Sequence, residues 1–274
     1  MNKADLYFKE TVTELLKKEN STEGELVRPS YKDGTKAHTY YLTNKVFEYD
    51  LSKGEFPISN VRPLAWKSAI KEILVIYQKQ TSDLTEYRKV GINWWDEFDI
   101  GNGSHGLRYG ATLRRYDLVN KLLNDLKNSP MSRRLMINMY QYSDFEETEG
   151  LFPCCYGFQL NVRGEYLDMV LNQRSQDYLM THSLNPLQYA ALLMMLAKTS
   201  GYLPGKITHI IANVHFYDRH LEQAEELAKR EVSAKTPKLI FNPETIDFYS
   251  FKIEDFSIVD YEPCLPQVKL ELAI

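Results

Sequence analysis

Apolar residues recur at the spacing of an α-helix in four stretches of the chain. They predict helices over residues 6–16, 66–77, 116–126 and 185–197. In the second and fourth stretches the apolar positions cover more than one face, which is typical of a helix buried in the core. Glu72 lies inside the second helix, among apolar neighbours.

Shorter runs with alternating, β-branched or continuous apolar character predict strands. They cover residues 135–142, 158–162, 166–173 and 207–216, and Arg163-Gly164-Glu165 predicts a hairpin turn between the second and third runs. The helices and strands mix without regular βαβ alternation, which favours an α+β fold with a mixed or antiparallel β-sheet. Because no stretch resembles a linker or a repeat, we expect a single domain over residues 1–274.

Composition narrows the partners that the chain can have. Hydrophobic residues form 43% of the 274 residues, and the formal net charge of −4 gives no general attraction to nucleic acid or to an anionic membrane. An anionic ligand must therefore meet local arginines. The first residues do not resemble a signal peptide, and no window approaches the length of a membrane span. We therefore expect a cytoplasmic protein that needs neither membrane nor nucleic acid.

The cysteines and histidines form no metal or redox motif. Cys154 and Cys155 are adjacent and Cys264 is distant, so we expect no disulfide and no structural metal. The chain has no glycine-rich dinucleotide or triphosphate motif, and we expect no nicotinamide cofactor. The spacing of His38, His105, His182, His209 and His220 does not suggest a metal site, and the acidic run over residues 144–149 predicts a solvated loop.

Cys154 and Arg174 are the most informative pair of residues. A cysteine attacks as the thiolate, and a free pKa of about 8.5 leaves a few per cent ionised at neutral pH unless a cation lies near it. Arg174 can supply that cation. Taken alone, however, Cys154 is more often an inert buried thiol, so the order of the surrounding motifs has to decide.

Ordered motifs over residues 28–274 resemble those of the thymidylate synthases. They are Val27-Arg28, Asp33-Gly34-Thr35-Lys36-Ala37-His38-Thr39, Glu72, Trp95-Asp96-Glu97-Phe98, Tyr109-Gly110, Ser132-Arg133-Arg134, Pro153-Cys154, Gln173-Arg174-Ser175-Gln176-Asp177, Asn185, His215-Phe216-Tyr217 and Ala273-Ile274. The amino-terminal pair of motifs resembles the Bacillus-type form of the family. The chain departs from the family pattern at residues 180–184, usually Leu-Gly-x-Pro-Phe, and at Asn213, usually Asp.

The resemblance implies a fold and an activity. The fold is a single thymidylate synthase-like domain whose β-sheet forms the interface of a homodimer and is flanked by helices. The activity is the reductive methylation of dUMP to dTMP, with methylenetetrahydrofolate as one-carbon donor and reductant and dihydrofolate as the second product. In this chemistry Cys154 adds to the 6-position of the pyrimidine and makes the 5-position nucleophilic.

The resemblance also implies roles for individual residues. The catalytic residues are Cys154, Glu72, Tyr109, Arg174 and Asn185. Residues binding dUMP are Arg28, Arg133, Arg134, Gln173, Arg174, Ser175, Asp177, Asn185, His215 and Tyr217, with Arg133 and Arg134 reaching the site of the other subunit. Residues contacting the folate are Glu72, Trp95, Leu151, Asp177, Ala273 and Ile274. No metal is implied.

Three other functions compete with this interpretation. A dUMP hydroxymethylase of the same fold would add water to the methylene intermediate, whereas Trp95 and the Ala-Ile terminus favour exclusion of water. A non-catalytic dUMP-binding regulator would not need the set of Cys154, Glu72, Arg174 and Asn185. A cysteine hydrolase would carry a local Cys-His signature, which the chain lacks.

Overall fold

Seven strands and nine α-helices make up the chain, and the computed structural model describes residues 1–274. The strands are β1 (Thr39–Asp50), β2 (Met136–Asn138), β3 (Cys155–Arg163), β4 (Tyr166–Asp177), β5 (Leu203–Tyr217), β6 (Lys238–Phe241) and β7 (Phe256–Val259). The helices are α1 (Lys3–Leu15), α2 (Trp66–Leu74), α3 (Leu84–Lys89), α4 (Gly110–Arg115), α5 (Leu118–Asn128), α6 (Tyr142–Glu147), α7 (Tyr178–Thr181), α8 (Leu184–Ser200) and α9 (Leu221–Lys229).

The main sheet is mixed, as the sequence predicts. Its order is β1-β5-β4-β3-β2, with β4 and β5 parallel and every other neighbouring pair antiparallel. Parallel strands need a crossover connection, and α7 and α8 supply it between β4 and β5. Strands β6 and β7 form a separate two-stranded antiparallel sheet.

Two buried helices are stacked on one face of this sheet. Helix α8 packs on β4 and β5, and α2 packs on α8. The all-round apolar character of both predicted helices is explained by this position, since Ile70, Leu192 and Leu193 are each fully buried. Helix α2 continues as a π-helical segment over Val75–Lys79, so the predicted helix over residues 66–77 is helical throughout. One hydrophobic core runs from Ala4 to Phe256, and the fold is a single α+β domain.

Two local predictions are wrong. The strand predicted over residues 135–142 is shorter in the structure and covers only Met136–Asn138. The last residue of the predicted strand, Tyr142, begins α6 instead. The acidic run is not simply a solvated loop, because Asp144 within it is fully buried. Its carboxylate accepts hydrogen bonds from Thr112 (2.6 Å) and Tyr116 (2.9 Å), and the guanidinium of Arg115 lies 3.5 Å away, so the buried group has hydrogen-bond partners and a neighbouring positive charge.

Strand β1 is the longest element that the sequence analysis does not predict. Its sequence interleaves Lys45, Asn44 and Glu48 with aromatic residues and gives no clear alternation, yet β1 pairs with β5 along nearly its whole length. None of the helices combines the length and the apolar character that a bilayer span requires.

Candidate active site

A cavity of about 550 Å³ opens where the carboxyl ends of β4 and β5 meet. Because these strands are parallel, their ends lie at the same edge of the sheet. The start of α8, the segment before β3 and the carboxyl-terminal tail close the other sides. Most of the residues implied by the sequence line the cavity, namely Arg28, Trp95, Tyr109, Leu151, Cys154, Gln173, Arg174, Ser175, Asp177, Asn185, His215, Tyr217, Ala273 and Ile274.

Contacts with Tyr109 and Arg174 position Cys154. The backbone N–H of Cys154 donates to the hydroxyl of Tyr109 at 2.9 Å, and a guanidinium nitrogen of Arg174 lies 3.7 Å from Sγ. Arg174 is oriented by the carbonyls of Pro153 (3.0 Å) and Phe152 (2.7 Å). The arginine therefore faces the thiol at a fixed distance and presents its remaining donors to the cavity.

The electrostatic balance at Cys154 differs from the sequence-based expectation. Burial raises the pKa of the Cys154 thiol, and the positive charges of Arg174 and then Arg28 oppose this shift without cancelling it. Arg174 thus acts in the predicted direction, but desolvation is the larger effect. The adjacent Cys155 is buried, and its Sγ donates to the side-chain oxygen of Gln173 at 3.1 Å, so it is packed away from the cavity.

Glu72 lies directly behind the cavity wall on α2. One carboxylate oxygen accepts hydrogen bonds from the indole N–H groups of Trp94 (3.1 Å) and Trp95, and the other accepts from the amide of Gln188 at 2.5 Å. Burial raises the pKa of Glu72, and these three donors partly offset the shift. The group can therefore exchange a proton closer to neutrality than an ordinary carboxyl.

A one-directional chain of hydrogen bonds connects Glu72 to the cavity. Gln188 donates to Glu72, and its own oxygen accepts from Nδ2 of Asn185 at 3.4 Å. Oδ1 of Asn185 accepts from Gln173 at 3.2 Å, and the oxygen of Gln173 accepts from Nε2 of His209 at 2.8 Å. A carboxylate can only accept, so Glu72 orients the amide of Gln188 together with the carbonyl of Ala69, which accepts from the same nitrogen at 3.1 Å. At the other end of the chain, the carbonyl of Ser175 accepts from Gln173 at 2.9 Å and orients that amide.

Two members of this chain were missed by the sequence analysis. Gln188 lies three residues after Asn185 on the same helix, a spacing that places both side chains on one face and could have identified it. His209 was assigned no chemistry, and it lies behind the cavity rather than in its lining. Burial lowers the pKa of His209 to about 3, so the ring is neutral and serves as a fixed donor.

His215 and Tyr217 project from alternate positions of β5 into the cavity. Nδ1 of His215 donates to Oδ1 of Asn213 at 2.8 Å, which leaves Nε2 as an acceptor. Burial lowers the pKa of His215 to about 4 and raises that of Tyr217 to about 12. Both groups are therefore uncharged hydrogen-bonding partners at neutral pH.

Asp177 ends β4 and caps α7. One carboxylate oxygen accepts from the backbone N–H of Met180 at 3.3 Å, and the other has no partner in the protein. Burial raises the pKa of Asp177 to about 7. Met180 and Thr181, which belong to the segment that departs from the family pattern, line the cavity beside it.

The carboxyl-terminal tail is docked against the amino-terminal segment. Ile274 and Ser30 exchange two backbone hydrogen bonds of 2.8 and 3.0 Å, and Ala273 packs on Tyr31 and Ala37. This places the tail beside Arg28 at the cavity mouth.

Three residues implied by the sequence do not line the cavity of their own chain. Glu72 lies behind it, whereas Arg133 and Arg134 are exposed in the connection between α5 and β2. The structure contains no cluster of three or more His, Cys, Asp or Glu side chains arranged to hold a metal ion.

Comparisons of the sequence and of the fold with known proteins point to one family. The family model for thymidylate synthase matches residues 7–274. Thymidylate synthases from Lactococcus lactis subsp. lactis (strain IL1403) and Streptococcus pneumoniae (strain 70585) are each 47% identical over 281 aligned residues, which cover the full length of both proteins in each pair. The structure of thermostable thymidylate synthase A from Bacillus subtilis superposes with a TM-score of 0.91 at 31% identity, over 98% of this chain and 99% of that one.

Proposed function

This chain belongs to the thymidylate synthase family, and we propose that it converts dUMP to dTMP with Cys154 as the nucleophile. Methylenetetrahydrofolate is the one-carbon donor and reductant in this proposal, and dihydrofolate is released. The observation that carries the proposal is the single cavity in which Cys154, Arg174, Asn185 and the tail meet. We propose that residues 1–274 act as one catalytic domain and that the enzyme works in the cytoplasm.

Addition of Cys154 to the pyrimidine begins the reaction. The thiol gives its proton to solvent, and sulfur bonds to C6. The C5–C6 double bond opens, and its electron pair moves through C5 to the carbonyl oxygen at C4 as an enolate. Burial favours the neutral thiol, so Arg174 is needed to limit the cost of the charged form. The enolate develops where the amide of Asn185 can stabilise it, since that amide is fixed by Gln188 and Gln173.

We assign recognition of the uracil edge to Asn185. Uracil presents an N–H at position 3 and a carbonyl at position 4, and an amide satisfies both with its oxygen and its NH₂ group. Cytosine presents the reverse pattern at these two positions. Glu72 supports proton transfer from behind the base, with Tyr109 fixing the backbone of the nucleophile.

The phosphate of dUMP needs cations that this cavity supplies only in part. Arg28, Arg174 and Ser175 line it, and Gln173, His215 and Tyr217 lie toward the sugar and base. We assign the remaining charge to the partner subunit's Arg133 and the partner subunit's Arg134 in a homodimer with shared sites. Val46 and Ile210, an exposed cross-strand pair on β1 and β5, support the solvent-facing side of the sheet as the interface.

The folate is assigned to the outer part of the cavity. Trp95, Leu151, Ala273 and Ile274 offer apolar surface there, and Asp177 offers an unpartnered carboxylate oxygen. Closure of the tail would exclude water while the 5-proton leaves and the bond from the transferred carbon to the folate nitrogen breaks, which leaves a methylene group at C5. A hydride from the tetrahydrofolate then converts this methylene group to a methyl group, and the bond between Cys154 and C6 breaks. No observation favours hydroxymethylation or a purely regulatory role.

The test compares two neighbouring cysteines. Cys154→Ser should abolish dTMP formation and leave dUMP binding measurable by calorimetry, because a hydroxyl fills the same space but does not add to the ring. Cys155→Ser is the matched control, and it should retain most of the activity. An active Cys154→Ser enzyme beside an inactive Cys155→Ser enzyme would show that the nucleophile is assigned to the wrong residue.

A further inference from the structure

Arg219 joins three segments of the chain outside the cavity, and nearby residues of each segment, Arg28, Tyr217 and Leu272, line the cavity. One guanidinium nitrogen donates to the carboxylate of Asp33 at 2.7 Å, and another donates to the carboxylate of Glu271 at 3.1 Å. The guanidinium also lies 4.0 Å from the ring centre of Tyr31. We refer to Arg219, Asp33, Glu271 and Tyr31 as the clasp.

The clasp connects the two ends of the proposed site. Asp33 lies in the turn that follows Arg28, which lines the cavity on the side assigned to the nucleotide phosphate. Glu271 directly precedes Leu272, Ala273 and Ile274, which line the side assigned to the folate. Arg219 is therefore the side chain through which movement of one segment changes the contacts of the other.

Hydrogen bonds fix the position of Tyr31 against Arg219. The hydroxyl of Tyr31 donates to Asp218 and accepts from the backbone N–H of Arg219 at 3.3 Å. This holds the aromatic ring beneath the guanidinium. Arginine is suited to this position because its planar fork can bind two carboxylates and stack on an aromatic ring at once, which a lysine cannot do.

We propose that Arg219 is a positioning residue that couples occupation of the nucleotide site to docking of the carboxyl-terminal tail over the folate. The proposal rests on the proposed function for the identity of the two ligands. The Arg219 contacts are already formed in the structure. When Arg28 engages the phosphate, the turn at Asp33 is restrained, and the tail is then retained more firmly through Arg219 and Glu271. The tail is also attached by its backbone pairing with Ser30 and by the packing of Ala273 on Tyr31 and Ala37.

The expected effects are moderate because the clasp is partly exposed. The side chains of Arg219 and Glu271 are 36% and 38% exposed, and an ion pair between exposed side chains contributes little stabilisation by itself. Arg219→Gln should raise the KM for methylenetetrahydrofolate by roughly three- to tenfold, since two ion pairs and a stacking contact are lost together. The Kd for dUMP alone should change less than about twofold, because no clasp side chain is assigned to the nucleotide.

Release of Ile274 by a carboxypeptidase measures tail docking without catalysis. In the unmodified protein, saturating dUMP should slow this release, and in Arg219→Gln it should have little effect. Arg163→Gln is the matched control, because Arg163 forms a comparable exposed pair with Asp168 at 2.7 Å on the β3–β4 hairpin. The control should behave as the unmodified protein does.

The outcomes separate this inference from the proposed function. Calorimetry first establishes that dUMP binds, and product analysis establishes turnover, so failure of either contradicts the proposed function. With both established, equal protection of the tail by dUMP in Arg219→Gln and the unmodified protein would overturn the coupling. A double-mutant cycle with Glu271→Gln should show non-additive effects on the folate KM, and additive effects would also overturn it.

Discussion

Replacement of Gln188 by methionine tests whether Glu72 controls how the base is recognised. Gln188→Met keeps an unbranched side chain of similar length and removes both polar groups of the amide. It leaves Nδ2 of Asn185 without its acceptor at 3.4 Å and one oxygen of Glu72 without its donor at 2.5 Å. Asn185 then keeps only its bond with Gln173, so its amide is held by one contact instead of two.

The size of the effect follows from burial. Gln188 is only 5% exposed, and a buried polar group left without a partner costs about 1–3 kcal/mol. A free-energy change of about 1.4 kcal/mol corresponds to a tenfold change in kcat/KM, so kcat/KM for dUMP should fall by roughly five- to 150-fold. An amide held by one contact reaches the turned orientation that suits cytosine more readily, so the preference for dUMP over dCMP should fall as well.

The assay is the ratio of kcat/KM for dUMP and dCMP in both proteins. A general structural defect would lower both values in proportion, whereas loss of amide orientation lowers the ratio itself. An unchanged ratio in a well-folded Gln188→Met enzyme would refute the argument that Glu72 orients Asn185 through Gln188.

A second substitution at the same position adds a pH signature. In Gln188→Glu the introduced carboxyl group lies against Glu72, and two carboxyl groups this close cannot both ionise, so the pKa of the pair rises. The protonated form can still donate to Glu72 and accept from Asn185. Activity toward dUMP should therefore be retained below the raised pKa and lost as the pH increases through it, and a pH profile parallel to that of the unmodified enzyme would contradict this.

Three further predictions concern the base, the partner subunit and the sugar. Asn185→Asp should shift the ratio of catalytic efficiencies from dUMP toward dCMP, and an unchanged ratio would show that Asn185 does not read the base. Mixing inactive Cys154→Ser subunits with inactive Arg133→Ala subunits should restore activity in hybrid dimers, and no recovery after verified exchange would place Arg133 in its own chain's site. Asn213→Asp should raise the pKa of His215 from about 4, so the protonated ring would weaken dUMP binding as the pH falls, and NMR titration of the His215 ring should show the shift.

The elements with a strong apolar pattern could be predicted from the sequence. Helix α8 is buried on almost every face, and its composition shows this without knowledge of its neighbours. Strand β1 could not be predicted in the same way, because its polar residues are tolerated on a sheet face whose covering depends on tertiary structure. Asp144 was misjudged for a related reason, since its partners Thr112 and Tyr116 lie about 30 residues away and convert an acidic run into a buried network.

The site residues also divide into those that a local sequence motif indicates and those that depend on tertiary contacts. Cys154, Arg174 and Asn185 could be proposed from the sequence because each belongs to a motif with a fixed order along the chain, and the structure brings them to one cavity. Gln188 was missed because its role depends on Glu72, a residue of another helix. The raised pKa of Cys154 could not be predicted either, since the proximity of Arg174 is implied by sequence but the competing burial is a property of the folded cavity.

Quantification of both products of one reaction tests the central claim most directly. The unmodified protein is incubated with dUMP and methylenetetrahydrofolate, nucleotides are identified by mass spectrometry, and the oxidised folate is followed by its absorbance. We predict dTMP and dihydrofolate in equal amounts, because the docked tail and Trp95 keep water from the methylene intermediate while the folate reduces it. Formation of hydroxymethyl-dUMP together with tetrahydrofolate would contradict the account.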